Sequence, residues 1–568
     1  MDRSRASVFY IDNWRVTPEE GMLSRGDETT RLEPKTMEVL VYLASHPHEV
    51  ITRDELEQHV WHGALVGYDA VTNTIIKLRK ALQDNARQPH IIATIPKKGY
   101  QLIASVDYPA SEASPAGTDT GLPTGTGVIS VKSRSWSRLK TRAVILAMMM
   151  MAGMILLWTV LSPEYVPPRS DNLATLPSIV ILPFENLSDD HKQEYLASGI
   201  TDDIITDMTR LSNIRVISGN TSSIYKGRHI SSRKIAADLN VQYILKGSIR
   251  QVNGRIRINT QLYNAKTGFN VWAQRYERRV NEIFSVQDEV TQKIAKSLTI
   301  KMSPQERIRL TQRATDSLKA YDFFQEGQRL ALPRTGQALR QARVAFKKAI
   351  EYDPNYGRAY GAIALTLCFD YLAGRVDAPV EVLDRALQLA EKAVALDESV
   401  PQTYWALSFT HLMRKEYDKA ETAVSRAISI APNYADGYGL LALIKMYTGH
   451  PAQALELNSK GMKLNPYYSW EYLYTQGSAY YMQGNYAAAI TMLEKAQQRN
   501  ETIVQLRLIL AAAYIHQNRQ EDAEWQIEEI YTLSPATTIS DIKKSTPFAD
   551  PEFKQAFLND LRQAGLKE

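Results

Sequence analysis

Cysteine is almost absent from this sequence, since Cys368 is the one thiol among 568 residues. A single thiol excludes an intramolecular disulfide framework and any cluster of thiolate metal ligands. The ten histidines show no HExxH or other metal-ligand spacing. Because Cys368 lies in the apolar run ALTLCFDYL, we predict a buried structural thiol rather than a nucleophile.

Catalytic arrangements are missing as well. Gly219-Asn220 follows a strand pattern but lacks the spaced glycines of a phosphate-binding loop. Asp202, Asp203 and Asp207 could form a metal cluster, but positions i, i+1 and i+5 do not share one helical face. A solvated helix start is therefore the preferred interpretation of these carboxylates. The sequence predicts no enzyme, no cofactor and no metal site.

Long hydrophobic runs are rare, and the one that stands out is residues 143–162, AVILAMMMMAGMILLWTVLS, which carries no charge. As a helix it would span about 30 Å, the thickness of a bilayer's hydrocarbon core. A buried core helix or a hairpin of two buried strands is the alternative. Basic residues precede the run and none follows closely, which by the positive-inside rule places the N-terminus in the cytoplasm. We therefore predict one transmembrane helix over 143–162.

A linker precedes this hydrophobic run. Residues 109–127 contain thirteen Pro, Gly, Ser or Thr in nineteen positions. Such a composition cannot bury enough apolar surface to offset its ordering entropy. Together with the basic residues that follow, it predicts a flexible basic linker over 106–142, which separates residues 1–105 as a compact domain.

Residues 1–105 have the pattern of a small α+β domain. Short alternating runs predict an antiparallel sheet, and MEVLVYLASHP predicts a helix that ends at Pro47. Thr52 with Glu55 gives the capping-box signature of a second helix. A third helix from about Asp69 and a hairpin around Pro-Lys-Lys-Gly complete the set. These are the elements of a winged helix-turn-helix.

The third predicted helix has two different faces. Its apolar stripe is predicted to pack inward and consists of Val71, Ile75, Leu78 and Leu82. Its opposite face carries Asn73, Ile76, Lys77 and Lys80, with Thr72 and Arg79 on the shoulder of that face. Amides and hydroxyls suit base edges, and cations suit phosphates. The net charge is −5 over residues 1–68 and +4 over residues 69–105, so positive charge is concentrated in this helix and the hairpin. A solvated basic face is the alternative interpretation.

The segments RLEPKTMEVLVYLASHPHEVITRDELEQHVW, AVTNTIIKLRKAL and IATIPKKGYQL resemble the OmpR-type winged helix. They are most similar to the version in CadC- and ToxR-like transmembrane regulators. The resemblance implies that the third helix enters the major groove of double-stranded promoter DNA and that the hairpin, or wing, contacts the adjacent backbone or minor groove. It implies these DNA-binding residues: Thr72, Asn73, Lys77 and Lys80 at the groove, Arg79 as a phosphate-contacting or helix-anchoring residue, and Lys97 and Lys98 on the wing.

Two further implications follow from the same resemblance. Response regulators carry a phosphoacceptor receiver domain ahead of this output module, whereas only about five residues precede it here. Control is therefore expected through the membrane span or through association. The resemblance also implies a bacterial inner-membrane, single-pass protein with a cytoplasmic N-terminus and a periplasmic C-terminal region.

Residues 172–300 alternate between strand and helix patterns and predict an α/β domain. SIVILPF and IRVISG have strand patterns, and EYLASGITDDIITDMTRL has a helical one. Asn253-Gly254 between two alternating runs is a strong type I′ hairpin signal. The segment resembles the TolB-N/FlgO-like domain, which implies a place outside the membrane.

An internal repeat begins near residue 318. Helix-ending positions are spaced by 44, 34, 34, 35 and 34 residues and are Pro354, Glu398, Pro432, Pro466, Glu501 and Pro535. An alanine lies twelve residues before each. The pattern resembles tetratricopeptide repeats, which implies an all-α solenoid with a C-terminal cap over 315–568, an insertion around 374–379 and a protein or peptide partner. The tyrosines at 467, 468, 472 and 474 are predicted to serve packing.

The sequence thus predicts a multidomain chain with a winged helix-turn-helix (α+β), one transmembrane helix, an α/β domain and an all-α tetratricopeptide solenoid. Its predicted function is that of a membrane-anchored transcription regulator that binds promoter DNA and senses a signal or partner through its extracytoplasmic domains. We expect a homodimer or higher oligomer, because one winged helix reads only a short half-site. The alternative is a membrane-anchored tetratricopeptide scaffold for protein complexes that does not bind DNA.

Overall fold

The structure is a computed structural model that describes residues 8–26, 28–60, 70–84, 89–95, 98–108, 176–188, 194–228, 230–376 and 378–568. Met1–Val106 and Leu176–Glu568 form one compact unit. Within that unit, the described residues build a winged helix, an α/β domain and a helical solenoid.

The winged helix has two small antiparallel sheets and three helices. The first sheet has the order β4-β3-β2-β1-β8, from strands Phe9–Ile11 (β1), Trp14–Thr17 (β2), Met22–Arg25 (β3), Glu28–Arg31 (β4) and Val106–Asp107 (β8). The second has the order β5-β7-β6, from Val50–Ile51 (β5), Ile92–Ile95 (β6) and Gly99–Leu102 (β7). The helices are Pro34–Ala44 (α1), Arg53–His59 (α2) and Ala70–Ala81 (α3).

Local sequence signals account for these helices. Thr52 accepts a hydrogen bond from the Glu55 amide at 3.2 Å, and the Glu55 carboxylate accepts one from the Thr52 amide at 2.7 Å, so the predicted capping box of α2 is present. The predicted apolar stripe of α3 is buried, each of its side chains being at most 1% exposed: Val71, Ile75, Leu78 and Leu82. The predicted N-cap Asp69 lies outside the described residues.

The α/β domain contains a mixed sheet of the order β11-β9-β12-β13-β14, with β10 beside β12. Its strands are Ser178–Ile181 (β9), Glu185–Asn186 (β10), Arg215–Val216 (β11), Tyr243–Val252 (β12), Arg255–Asn264 (β13) and Asn270–Arg279 (β14). Its helices are Glu194–Thr209 (α4), Gly219–Ser223 (α5), Ser232–Leu239 (α6), Ile283–Ser297 (α7) and Pro304–Thr311 (α8). Asn253 and Gly254 both have positive φ, 51° and 71°, as the predicted type I′ turn requires.

The solenoid is built from consecutive helix pairs, as the repeat predicts. The helices are Leu318–Ala331 (α9), Gly336–Tyr352 (α10), Gly357–Leu372 (α11), Pro379–Leu396 (α12), Pro401–Met413 (α13), Tyr417–Ile430 (α14), Ala435–Tyr447 (α15), Pro451–Leu464 (α16), Trp470–Met482 (α17), Tyr486–Arg499 (α18), Val504–Ile515 (α19) and Gln520–Leu533 (α20). Two helices close the end, Ile539–Ser545 (α21) and Pro551–Gln563 (α22).

Small residues bring the paired helices together. The repeated alanines are all 0% exposed, namely Ala342, Ala386, Ala420, Ala454, Ala489 and Ala523. The first repeat spacing, 44 residues from Pro354 to Glu398, is not explained by the predicted insertion around 374–379 alone. Helices α11 and α12 have 16 and 18 residues, against 13 and 14 in α13 and α14, so the extra length is shared by the helices and their connection.

The predicted transmembrane helix requires a correction. Residues 143–162 lie outside the described residues, and no helix among the described ones is long and apolar enough to cross a membrane. The longest of those helices, α12, has 18 residues but includes the charged residues Glu381, Asp384, Arg385, Glu391 and Lys392, whose burial in hydrocarbon is costly. The predictions of one transmembrane helix and of a single-pass bacterial inner-membrane location are therefore not supported. The predicted linker over 106–142 also lies largely outside the described residues.

Candidate nucleic-acid interface

Helix α3 offers an outward face because its apolar stripe is fixed in the core. Opposite that stripe, Ile76 is 56% exposed and Lys80 is exposed to solvent. An isoleucine and a lysine exposed on one face suit a surface that meets base edges and phosphates. Thr72 and Asn73 belong to the same helix, and their side chains are outside the described part of the structure.

Arg79 lies inside the domain and is 8% exposed. Its guanidinium donates to the carbonyl oxygen of Ile92, from Nε at 3.2 Å and from Nη2 at 2.8 Å. Nη2 also donates to the Thr94 hydroxyl at 2.8 Å. These bonds connect α3 to β6, as expected if this arginine anchors the helix.

The wing is the hairpin of β6 and β7. The Lys98 amide donates to the Ile95 carbonyl at 3.0 Å and Lys98 is exposed, whereas Lys97 lies outside the described residues. Gly99 has a φ of 151°, and a Cβ placed there would lie 2.0 Å from the carbonyl oxygen of Ile51. Glycine at 99 therefore permits the close approach of β5 and β7 that supports the wing.

Lys77 is held by carboxylates. Its Nζ donates to both carboxylate oxygens of Glu33 at 2.9 Å and to Oε2 of Glu501 at 2.6 Å. Glu33 precedes α1 in the winged helix, whereas Glu501 lies between α18 and α19 of the solenoid. The side chain proposed for the groove is thus bonded within its own domain and across to the solenoid.

The ionisation of this cluster follows from burial and charge. Burial alone would lower the pKa of Lys77, but the carboxylates of Glu33 and Glu501 outweigh it and raise that pKa. Burial alone would raise the pKa of Glu33, but Lys77 and Arg507 hold it below its usual range. Burial, with the nearby Glu33 carboxylate adding to it, raises the pKa of Glu501.

Arg507 organises the solenoid side of the contact. It lies on α19 and is 1% exposed. One guanidinium nitrogen, Nη2, lies 3.2 Å from Glu33 and 3.3 Å from Glu529, and Nη1 donates to Gln526 at 2.9 Å. A second cross-domain ion pair joins Arg31 of β4 to Asp522 of α20 at 3.0 Å.

Two of the three aspartates of α4, Asp203 and Asp207, occupy a different environment from the predicted solvated helix start, whereas Asp202 is exposed. Asp203 pairs with Arg358 of the solenoid at 3.1 Å and accepts a hydrogen bond from Gln287 at 3.0 Å. Asp207 lies 3.4 Å from Arg210. Burial raises the pKa of Asp207 to about 7. These residues form the polar junction between the α/β domain and the solenoid, a role that sequence spacing did not indicate.

Other candidate side chains serve packing. Within the described residues, no group of three or more His, Cys, Asp or Glu could hold a metal ion. Cys368 is 0% exposed, as predicted, and burial raises its pKa to about 11. Tyr472 donates to the Ala435 carbonyl at 3.0 Å, and Tyr467 packs edge-on against Tyr225 of the α/β domain.

Two regions of the chain match known families. Residues 27–102 match the family described as "Transcriptional regulatory protein, C terminal", and this range includes α3 and the wing. Residues 474–536 match a family described as "Tetratricopeptide repeat", and this range includes Glu501 and Arg507.

Individual relatives match parts of the chain. It is 37% identical over 257 residues to "Putative adenylate cyclase 3" of Rhizobium meliloti, which is 45% of this chain and 43% of that protein. It is 41% identical over 106 residues to "Transcriptional activator CadC" of Escherichia coli, which is 18% of this chain and 21% of that protein. The solved DNA-binding domain of E. coli CadC is 40% identical and covers 18% of this chain and 98% of that domain, with a TM-score of 0.17. The chain therefore spans less than half the length of these curated relatives.

Proposed function

We propose that this chain regulates transcription by binding duplex DNA, since residues 27–102 match the OmpR-type winged helix shared with CadC- and ToxR-like activators and tetratricopeptide repeats follow. In this proposal α3 enters the major groove and the wing contacts the neighbouring backbone or minor groove. The proposal assigns no reaction to the chain.

The observation that carries the proposal is the division of α3 into two faces. The buried stripe fixes the rotation of the helix about its axis, so Ile76 and Lys80 point away from the core. The helix then presents the aliphatic side chain of Ile76, which can contact a thymine methyl, together with the ammonium group of Lys80, which can contact a phosphate. Thr72 and Asn73 lie on the same helix and are proposed to contact base edges.

Three residues have supporting roles in this proposal. Arg79 orients α3 on β6 through the Ile92 carbonyl, and is proposed as a positioning residue rather than a phosphate contact. Lys98 and Lys97 at the wing are proposed to neutralise phosphates next to the groove.

We further propose that two copies bind neighbouring half-sites and that a protein partner contacts the solenoid.

Salt dependence of binding tests the DNA-binding role. The full chain would be titrated, over a series of salt concentrations, into a labelled duplex that it selects from a random-sequence pool. Each phosphate contact contributes about −0.9 to the slope of log affinity against log salt. We expect Lys80→Ala to make the slope shallower by about one contact per bound chain.

Arg15→Ala is the matched control, because Arg15 is exposed on β2 of the N-terminal sheet and belongs neither to α3 nor to the wing. It removes one positive charge and should leave the slope unchanged. A selected duplex whose affinity is insensitive to salt, or equal effects of the two substitutions, would exclude the proposed interface.

A further inference from the structure

The winged helix meets the solenoid at the side chain that is expected to contact DNA. We propose that the acidic end of the solenoid, formed by Glu501, Asp522 and Glu529, is an intramolecular docking site for the winged helix that competes with duplex DNA for Lys77. The docked chain would then have low DNA affinity. This inference rests on the proposed function and adds a form of regulation to it.

Hydrogen-bonding capacity is the first argument. A lysine ammonium group has three donors and no acceptor. In this structure Lys77 Nζ makes three contacts with carboxylate oxygens, two with Glu33 and one with Glu501. One N–H can serve both oxygens of Glu33 and a second N–H bonds Glu501. A phosphate oxygen that approached the third N–H would meet the like charge of these carboxylates, so the solenoid and DNA compete for Lys77.

Charge complementarity is the second argument. Without the winged helix, the single cation Arg507 acts on the two carboxylates of Glu501 and Glu529, which leaves an excess of negative charge. The winged helix supplies Lys77 to Glu501 and Arg31 to Asp522, the second pair at 3.0 Å. An acidic protein surface and the phosphates of DNA can bind the same positively charged surface.

Burial at the contact is the third argument. Arg507 is 1% exposed and reaches Glu33 of the winged helix at 3.2 Å. A buried guanidinium that bonds across two domains gives the docked arrangement a defined register, because its planar donors require acceptors at fixed positions. The contact therefore differs from a loose attraction between exposed charges.

Docking would lower apparent DNA affinity by mass action. When only a fraction of the molecules is undocked, the apparent dissociation constant equals the intrinsic one divided by that fraction. Any event that weakens the docking surface, such as a partner bound to the last repeats, would raise DNA affinity without touching α3.

A charge swap at the peripheral ion pair tests this inference in the full chain. Arg31 lies on β4, outside the predicted DNA-contacting set, and pairs with Asp522. Arg31→Asp and Asp522→Arg should each tighten binding to the selected duplex about two- to fivefold, the range typical of a partly exposed ion pair. The double variant restores opposite charges at these two positions. Because Asp522 also pairs with Arg519 of the solenoid at 2.7 Å, the affinity of the double variant should return only part of the way to the wild-type value.

A second pair of variants tests the contact at Lys77. Glu501→Gln should tighten DNA binding about tenfold, since it removes the carboxylate charge that strengthens the hydrogen bond from Lys77. Glu528→Gln is the matched control, because Glu528 is exposed on α20 and the same charge is removed. Equal effects of the two substitutions would mean that overall charge, rather than docking, governs affinity, and would overturn the inference.

Chemical labelling of Lys77 by an amine-reactive ester, measured by mass spectrometry, reports docking without DNA. Faster labelling in Glu501→Gln than in Glu528→Gln, together with tighter DNA binding, supports the inference. Faster labelling with unchanged DNA affinity would exclude the proposed competition between the solenoid and DNA for Lys77, but it would not contradict the proposed DNA-binding function. If no variant binds a selected duplex, the proposed function fails and the competition with it.

Discussion

Arg79 and Lys80 are neighbours in α3 that lie in opposite environments, and replacing each in turn separates an anchoring role from a DNA-contacting one. Arg79→Met keeps the aliphatic stem but removes the donors to the Ile92 carbonyl and the Thr94 hydroxyl. Hydrogen bonds from a charged group contribute about 1.5–3 kcal/mol each, and a buried carbonyl left unpaired adds a cost. We expect a loss of about 3–4 kcal/mol in the stability of the winged helix.

Hydrogen exchange is the suitable assay for this loss. A multidomain chain does not unfold in one step, so a single free energy of unfolding is poorly defined. Exchange of the amides in α3 and in β6 instead reports the free energy of opening this domain within the full chain. Arg79→Met should speed their exchange by about two to three orders of magnitude, whereas Lys80→Ala should leave it unchanged within about 0.5 kcal/mol.

The DNA measurements should show the reverse pattern. Lys80→Ala should make the salt dependence shallower by about one phosphate contact, whereas Arg79→Met should weaken binding at every salt concentration without changing the slope. The anchoring role would be refuted if Arg79→Met left hydrogen exchange intact and made the slope shallower. In that case Arg79 would be a phosphate contact despite its burial in this structure.

Three further substitutions or measurements follow from the described contacts. Gly99→Ala should destabilise the wing by several kcal/mol, since its Cβ would lie 2.0 Å from the Ile51 carbonyl oxygen, and hydrogen exchange of β7 should reveal it. Cys368, with a pKa raised to about 11 by burial, should react with a thiol reagent at pH 8 about 100-fold more slowly in the native chain than after denaturation. The pKa of Asp207 is about 7 in the folded chain against an ordinary 3.8, so its contribution to stability is full below about pH 4 and is lost as the pH rises through 7. Relative to the wild-type chain at the same pH, Asp207→Asn should therefore slow hydrogen exchange of the α4 amides more at pH 8 than at pH 4, and an equal effect at both values would contradict the assigned burial.

Local sequence was sufficient to predict the elements of the candidate interface. The buried stripe of α3 was predictable because apolar residues recur at helical spacing. The capping box of α2 was predictable because its two partners are three residues apart. Asn253-Gly254 predicted a turn for a similarly local reason, since both residues tolerate positive φ. The repeated alanines predicted the solenoid because every repeat places one at the same close helix contact.

Polar partners were not predictable in the same way. The polar face of α3 predicted that Lys77 is available, but its carboxylate partner Glu501 is 424 residues away in sequence. Arg79 bonds a carbonyl oxygen of β6 that is 13 residues away in sequence, and Asp203 of α4 pairs with Arg358 of the solenoid. The sequence by itself determined helices, turns and repeats, because these are set by residues within a few positions of one another. Only the tertiary structure decided which charged residues form ion pairs. An ion pair depends on distance in space, and periodicity along the chain does not specify that distance.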